Sequence, residues 1–478
     1  MRAVCRVFIV VAAMSLVGCD AFSSSFQVQD PASITWVTRW NQIAVDASGL
    51  DHTPPKVGED RVWGQALGPG RAARAMAMAH IAIFEAVNSI AGTYESYLGT
   101  SPAPANTSMK IAIAQAAHDT LVSVYSGQTI ALDGKLQEDL DSVADGTAKQ
   151  NGVDLGHQIA AAIVARRAGD GSTLADPYTF SNLPGKWRVD PMNPTQQPLG
   201  SEWGSVGCFV MHSGSQFRAP PPPDMTSTEY TDAYNEVKGI GGDGVTTPTT
   251  RTEEQTQIGL FWAYDGTPSL CAPPRMYNQL VKQIATDRGL SVTEMARLLA
   301  LTNVAMADAA VSIWDAKYYY NLWRPVTGIR ESDPGTGPTG DGDGNPDTIG
   351  DPNFTPMGAP ASNLTGPNFT PPFPSYPSGH AGFGGAVFET LRNFFGTDDI
   401  SFTFVSDELN GVTVDHDGNI RPLLPRSFSS LSQAEEENGQ SRIYLGIHWS
   451  FDKTQGIAAG RKVGDFVFNN AFRPKSGS

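Results

Sequence analysis

From Ser33 to about Gly169 apolar residues recur at spacings of three and four, with little of the two-residue alternation that marks strands. ITWVTRWNQIAVDA, the run from Arg71 to Ile90, the run from Met109 to Tyr125, and DLGHQIAAAIVARRA therefore read as bundle helices. His80, His118 and His157 lie on these helices without a partner at metal-ligand spacing, so they read as packing or surface residues. Between Asp170 and Asp243 the texture changes to Pro, Gly and aromatic residues, as in PGKWRVDPMNPTQQPLG and RAPPPPDM. A stretch this long without periodicity predicts an ordered cover that shapes a substrate entrance. Helical periodicity returns in EYTDAYNEVKGIGG and RTEEQTQIGLFWAYDG, where Thr252 is placed to cap a helix that Asp265 ends. Ser291 and Glu294 have capping-box spacing before MARLLALTNVAMADAAVSIWDAKYYYNLWRP, which predicts one long helix stopped by Pro325.

Composition changes this picture in three ways. With 478 residues, 40% of them hydrophobic, the chain exceeds what one core usually organises, so two packed substructures are expected. A formal charge of −16 excludes a nucleic-acid partner and makes any basic cluster local and purposeful. The N-terminus carries Arg2, Arg6 and the apolar run VFIVVAAMSLV, too short to span a bilayer, followed by Leu16-Val17-Gly18-Cys19. This resembles a bacterial lipobox, which implies removal of residues 1–18, a lipid on Cys19 and an exported protein anchored to a membrane. An ordinary secretory signal is the alternative. Cys5 leaves with the signal, and Cys208 and Cys271 then face an oxidising compartment either as one disulfide or as two buried thiols.

The candidate chemistry lies in the second half, in three stretches. In PPFPSYPSGH, Pro377 is suited to the first helical position, and Ser378, Gly379 and His380 fall in the first turn, where free N–H groups make an anion cradle. Lys317 and Arg324 are seven apart, on nearly one helical face, with Trp314 a turn before Lys317. Two such cations repel one another unless an anion joins them. Arg442 and His448 are six apart and off-face, so Gly446 is expected to break the helix and let them converge. His448 and Asp452, four apart, are spaced to pair, the carboxylate fixing the imidazole tautomer. Asp341, Asp343, Asn345 and Asp347 alternate as in a calcium loop, but Pro346 and Pro352 occupy the positions where Gly and Glu belong. A solvated acidic turn is the preferred reading there, with calcium as the alternative.

Taken together, Lys317-x6-Arg324-Pro325, Pro377-Ser378-Gly379-His380 and Ser441-Arg442-x5-His448-x3-Asp452 resemble the signature of the vanadium-dependent haloperoxidases and the acid phosphatases that share their site. The likeness to the vanadium chloroperoxidases extends through IGLFWAYDG, PPRMYNQLVKQIA, MGAPASN, PPFPSYPSGHAGFGGAVFE, DELNGV and SRIYLGIHWSFD, from about Arg251 to the end. It implies an all-α protein of two four-helix bundles joined by long Pro/Gly-rich loops: an N-terminal bundle with its wrapping loop over 19–250, and a site-bearing bundle over 251–478. It further implies vanadate ligated by His448 and held by Lys317, Arg324, Ser378, Gly379 and Arg442. Asp265 would pair with Arg442, His380 would act as acid–base group, and Trp314 and Phe373 would line a halide pocket. The implied substrates are hydrogen peroxide, chloride or bromide, and a small organic acceptor. Two other readings stand beside it: a phosphatase working through a phosphohistidine at His448, and an oxyanion-binding lipoprotein without turnover.

Overall fold

The computed structural model describes residues 32–475; the stretch read as an export signal, and Cys19, lie outside them. The first helices are α1 (Ala32–Asp51), α2 (Pro69–Ala91), α3 (Met109–Val124), α4 (Thr129–Asp141) and α5 (Thr147–Arg166). All but α4 follow from the apolar periodicity. That helix buries only Leu132, Leu136 and Asp139, too sparse a stripe to stand out in sequence. Next come α6 (Thr228–Ile240), α7 (Glu253–Phe261), α8 (Pro273–Asp287), α9 (Val292–Tyr320), α10 (Pro325–Arg330), α11 (Gly379–Phe395), α12 (Leu431–Tyr444) and α13 (Ser450–Asn470). Among the described residues the sheet content is one short antiparallel pair, β1 (Phe402–Phe404) and β2 (Arg426–Phe428), with Phe402 opposite Phe428. The protein is all-α.

Helix α9 is the shared wall. It packs against α2 on one side and against α11 and α13 on the other. A single apolar cluster runs from Val37 in α1 through α2, α3, α8 and α9 to Val467 in α13 and Phe472 beyond it. Although α9 is long and apolar enough to cross a membrane, its apolar stretch is wholly buried in protein. The expected capping box of Ser291 with Glu294 opens α9, and Thr252 caps α7 as expected, with Gln255 completing a second box.

Several expectations are corrected. Pro325 does not stop α9, which ends at Tyr320 with Asn321 in the left-handed region (φ 58°); Pro325 instead opens α10. Lys317 and Arg324 therefore do not share a helical face. Pro377 is not the first helical residue either: Ser378 is the N-cap, its hydroxyl accepting from the Ala381 N–H, and Gly379 begins α11. Of the four candidate ligands in the acidic loop, Asp341 and Asp347 are exposed. Asp343 and Asn345 are buried, with Asp343 bonded to the Asn345 N–H and the Thr348 hydroxyl, and Asn345 donating to the Met225 carbonyl and the Thr231 hydroxyl. It is a pinned turn, and no cluster of three His, Cys, Asp or Glu suited to a metal is found among the described residues. Cys208 and Cys271 are both free thiols. His80 is buried, while His118 and His157 clasp Asp119, as packing and surface roles require.

Candidate active site

Four segments bring the basic residues together. Lys317, in the last turn of α9, is fully buried and donates from Nζ to the carbonyls of Pro374 (2.8 Å) and Ser375 (2.9 Å). The turn after α9 carries Arg324 inward, where Nε donates to the Phe373 carbonyl (2.9 Å) and Nη1 to the Ile447 carbonyl (2.8 Å). Arg442, at the end of α12, donates from Nη2 to both carboxylate oxygens of Asp265 at 2.7 and 2.8 Å. His448 lies between α12 and α13. The chain reaches it through Gly446 at φ 73°, where an added Cβ would stand 2.3 Å from the Gly241 carbonyl, so the expected break is there and demands glycine.

The tautomer of His448 follows from its partners. Arg324 Nη1 approaches His448 Nε2 at 2.9 Å, and since a guanidinium only donates, Nε2 carries the lone pair. Nδ1–H then donates to Asp452 Oδ2 at 2.7 Å. That oxygen also accepts from the Trp449 N–H (3.1 Å) and from the Ser375 hydroxyl. Burial, reinforced by Arg324 and Lys317, holds the His448 imidazolium well below its ordinary range, so the ring is neutral. Burial likewise pushes Asp452 up to about 6. Lys317 is driven well below the usual lysine range by burial and by Arg324.

His380 opens α11 beside this group. Its Nε2–H donates to the Ala263 carbonyl at 2.5 Å, which leaves Nδ1 unprotonated. Burial, then Arg442, keeps the ring neutral by holding its pKa well below the ordinary value. Its carbonyl accepts from Tyr277 (2.9 Å) and Asn438 (3.0 Å), so the first turn of α11 is braced from α8 and α12. The Ser378 N–H donates to the Asp452 carbonyl (3.0 Å), which docks the cradle onto α13. Ser441 turns its hydroxyl back to the Asn438 carbonyl inside α12.

A cavity of about 300 Å3 lies in front. Of the sequence-predicted residues, Asp265, Trp314, Phe373, Gly379, His380, Arg442 and His448 line it. Lys317, Arg324, Ser378 and Asp452 stand behind that wall. Trp314 and Phe373 pack with ring centroids 4.9 Å apart, and Lys317 Nζ sits 5.1 Å from the Phe373 ring. The Pro-rich cover supplies Gln196, Gln197 and Leu199 to the rim, as an entrance-shaping loop should. Sequence reasoning missed His52, which reaches the cavity from the first helical set, and Ser375, within the PPFPSYPSGH stretch yet bonded to Asp452.

Three donors remain unfilled. Arg324 Nη2 and Arg442 Nε and Nη1 are buried without a hydrogen-bond partner among the described residues. Unmet buried guanidinium donors are costly, and they mark a place suited to an anion. The donor set fits a multiply charged oxyanion such as vanadate: three cations, the Ser378 hydroxyl, the Gly379 N–H at a helix start, and one imidazole lone pair.

Comparison with known proteins agrees. Residues 297–477 match a family model described as the VCPO second helical-bundle domain. The vanadium chloroperoxidase of Curvularia inaequalis is 30% identical over 500 residues, spanning 87% of this chain and 79% of that protein. The chain belongs to the vanadium-dependent haloperoxidase family. Among solved haloperoxidases of the same fold, the first bacterial vanadium-dependent iodoperoxidase superposes with a TM-score of 0.72 at 23% identity, covering 93% of this chain and 98% of its own. A holo-type bacterial vanadium-dependent chloroperoxidase gives 0.62 at 16% identity, covering 87% and 95%.

Proposed function

We propose that this haloperoxidase uses vanadate and hydrogen peroxide to oxidise chloride or bromide to hypohalous acid, which halogenates a small organic acceptor. The observation that carries the reading is the set of unfilled guanidinium donors around a neutral histidine with its Nε2 lone pair facing them. Bound vanadate supplies Lewis-acid activation of peroxide without changing its oxidation state. His448 would ligate it through Nε2. Lys317, Arg324, Arg442, Ser378 and the Gly379 N–H would hold its oxygens. Arg324 Nη1 must first leave the His448 lone pair it now occupies.

The remaining roles fall to residues of the chain. His380, neutral and with its lone pair on Nδ1, is suited to take a proton from hydrogen peroxide and return one to the leaving oxygen. Asp265 holds the Arg442 fork in place while leaving Nε and Nη1 for the oxyanion. Trp314 and Phe373 form an apolar wall where chloride can shed water beside three cations, which supports chloride as a substrate. Cys19 would anchor the exported protein to a membrane, and release of a Cys19→Ser protein into the soluble fraction checks this.

Metal analysis after incubation with orthovanadate, alongside peroxide-dependent bromination, chlorination and phosphate-ester hydrolysis, tests the reading. One vanadium per chain in the wild type and its loss in His448→Ala are expected. Chlorination at mildly acidic pH should fall more than bromination in Phe373→Ala or Trp314→Ala. Ester hydrolysis without halogenation would transfer the site to the phosphatases, and bromination without chlorination would reject the chloride assignment.

A further inference from the structure

Two supports of the site come from one short strap. The Ala263 carbonyl takes the His380 Nε2–H, and the Asp265 carboxylate holds the Arg442 fork. Tyr264 lies between them at φ 48°, a left-handed conformation that a residue with an aromatic side chain resists. Such a segment keeps its course only where its surroundings hold it.

One turn supplies the hold. The Ser406 hydroxyl donates to the Phe261 carbonyl (2.6 Å), the Asp407 N–H donates to the Tyr264 hydroxyl (2.6 Å), and Glu408 Oε1 accepts from the Tyr264 N–H (3.1 Å). That N–H and the Ala263 carbonyl belong to the same planar peptide unit and, the unit being trans, point in opposite directions. Glu408 therefore grips one edge of the peptide whose other edge holds His380, and a rotation that frees one bond frees the other. It acts from outside the cavity, which no residue of DELNGV lines. Glu408 is fully buried; its Oε2 accepts from the Ser362 hydroxyl (2.6 Å) and pairs with Arg421 Nη1. A buried ion pair contributes little net stability over an apolar pair of similar size, so geometry is the stronger reason for this one.

We propose that Glu408 is a positioning residue for the reaction: by pinning the peptide between Ala263 and Tyr264 it fixes the His380 tautomer and, through Asp265 next along the strap, the direction of the Arg442 donors. The acting group is the acceptor oxygen toward Tyr264, not the charge. Arg421 neutralises that charge, so Glu408 does not draw Arg442 away from Asp265. This inference rests on the haloperoxidase reading for the reaction that the geometry serves.

Two variants separate the acceptor from the charge. Glu408→Asp keeps a carboxylate for Arg421 but withdraws the oxygen from the Tyr264 N–H, whereas the double variant Glu408→Gln/Arg421→Gln removes both charges and keeps an acceptor of the original reach. Vanadate affinity is measured by equilibrium dialysis, and the His380 tautomer by nitrogen NMR of isotope-labelled imidazoles in the vanadate-free protein, with His380→Gln identifying the signal. Glu408→Asp should bind vanadate roughly tenfold more weakly. It should also show His380 exchanging between tautomers where the wild type shows one. The double variant should stay close to wild type in both. The reverse order, with the double variant impaired and Glu408→Asp normal, would assign Glu408 an electrostatic or purely stabilising role and overturn the inference, as would wild-type behaviour in both or equal losses in both. Neither readout needs turnover. Vanadate binding without bromination would overturn the haloperoxidase reading, while the tautomer and affinity of the two variants would still decide the role of Glu408.

Discussion

His448 owes its usable lone pair to neighbours that cannot exchange roles, since Arg324 only donates and the buried Asp452 carboxylate accepts from Nδ1. Ser375 adds a third donor to the same carboxylate oxygen and so fixes the angle from which Asp452 holds the ring. Because groups behind a ligand set its orientation and basicity, Ser375→Ala should weaken vanadate binding by about tenfold. Equilibrium dialysis with metal analysis measures this directly, and an affinity equal to wild type would remove Ser375 from the site. Such residues divide by how sequence shows them. Lys317, Arg324, Arg442 and the two histidines were legible because an oxyanion site needs those residue types, and their order along the chain is specific. Ser375 was not, because its partner lies 77 residues on and only the fold brings them together.

At the scale of elements, the site depends on two helices whose backbones touch. Gly456, Gly460 and Gly464 recur every fourth residue on one face of α13, and that face packs on α11. A Cβ at position 460 would stand 2.1 Å from the Gly382 carbonyl oxygen and 2.9 Å from the Ala386 nitrogen, so no side chain fits. This contact fixes the start of α11, with Ser378 and His380, against the start of α13, with Asp452 next to His448. Gly460→Ala should force the helices apart at a cost of about 3 kcal/mol, the upper end for overpacking. Vanadate-dependent bromination should fall by up to about 10²-fold from the misplaced groups. Denaturant titration and steady-state rates check both, and a variant with wild-type values would show that the helices tolerate separation. The glycine spacing was visible in the sequence, but which backbone it approaches was not. Helix α9 shows the opposite failure: a seven-residue spacing suggested one face, yet Asn321 turns the chain, and Arg324 arrives from a loop.

For the whole molecule, length suggested two packed substructures; the set of helices before α9 and the set after it pack on α9 around one continuous apolar core. No periodicity argument could reveal this, because a helix buried on all sides carries apolar residues on every face. Since removing either set would strip one flank of α9, the protein should unfold in a single calorimetric transition; two resolved transitions would show that the sets are stable separately. His80 lies inside this shared core, where Nδ1–H donates to the Met76 carbonyl and Nε2 faces Asn41 of α1 and Asn278 of α8. Burial pushes its pKa down to about 4. Unfolded, the same imidazole titrates near 6.5, so between about pH 6.5 and 4 the unfolded chain binds a proton that the folded chain refuses. This contribution to stability is therefore intact above about pH 6.5 and falls by about 1.4 kcal/mol per unit as pH drops, reaching a loss of about 3 kcal/mol near pH 4. Other buried groups titrate in the same range, so the informative quantity is the difference between wild type and His80→Gln, which keeps a hydrogen-bonding amide but cannot titrate. Urea unfolding at pH 7.5 and pH 4.5 should show the wild type losing about 2–3 kcal/mol more than the variant across that interval, and equal losses would mean that His80 takes up its proton without unfolding the core.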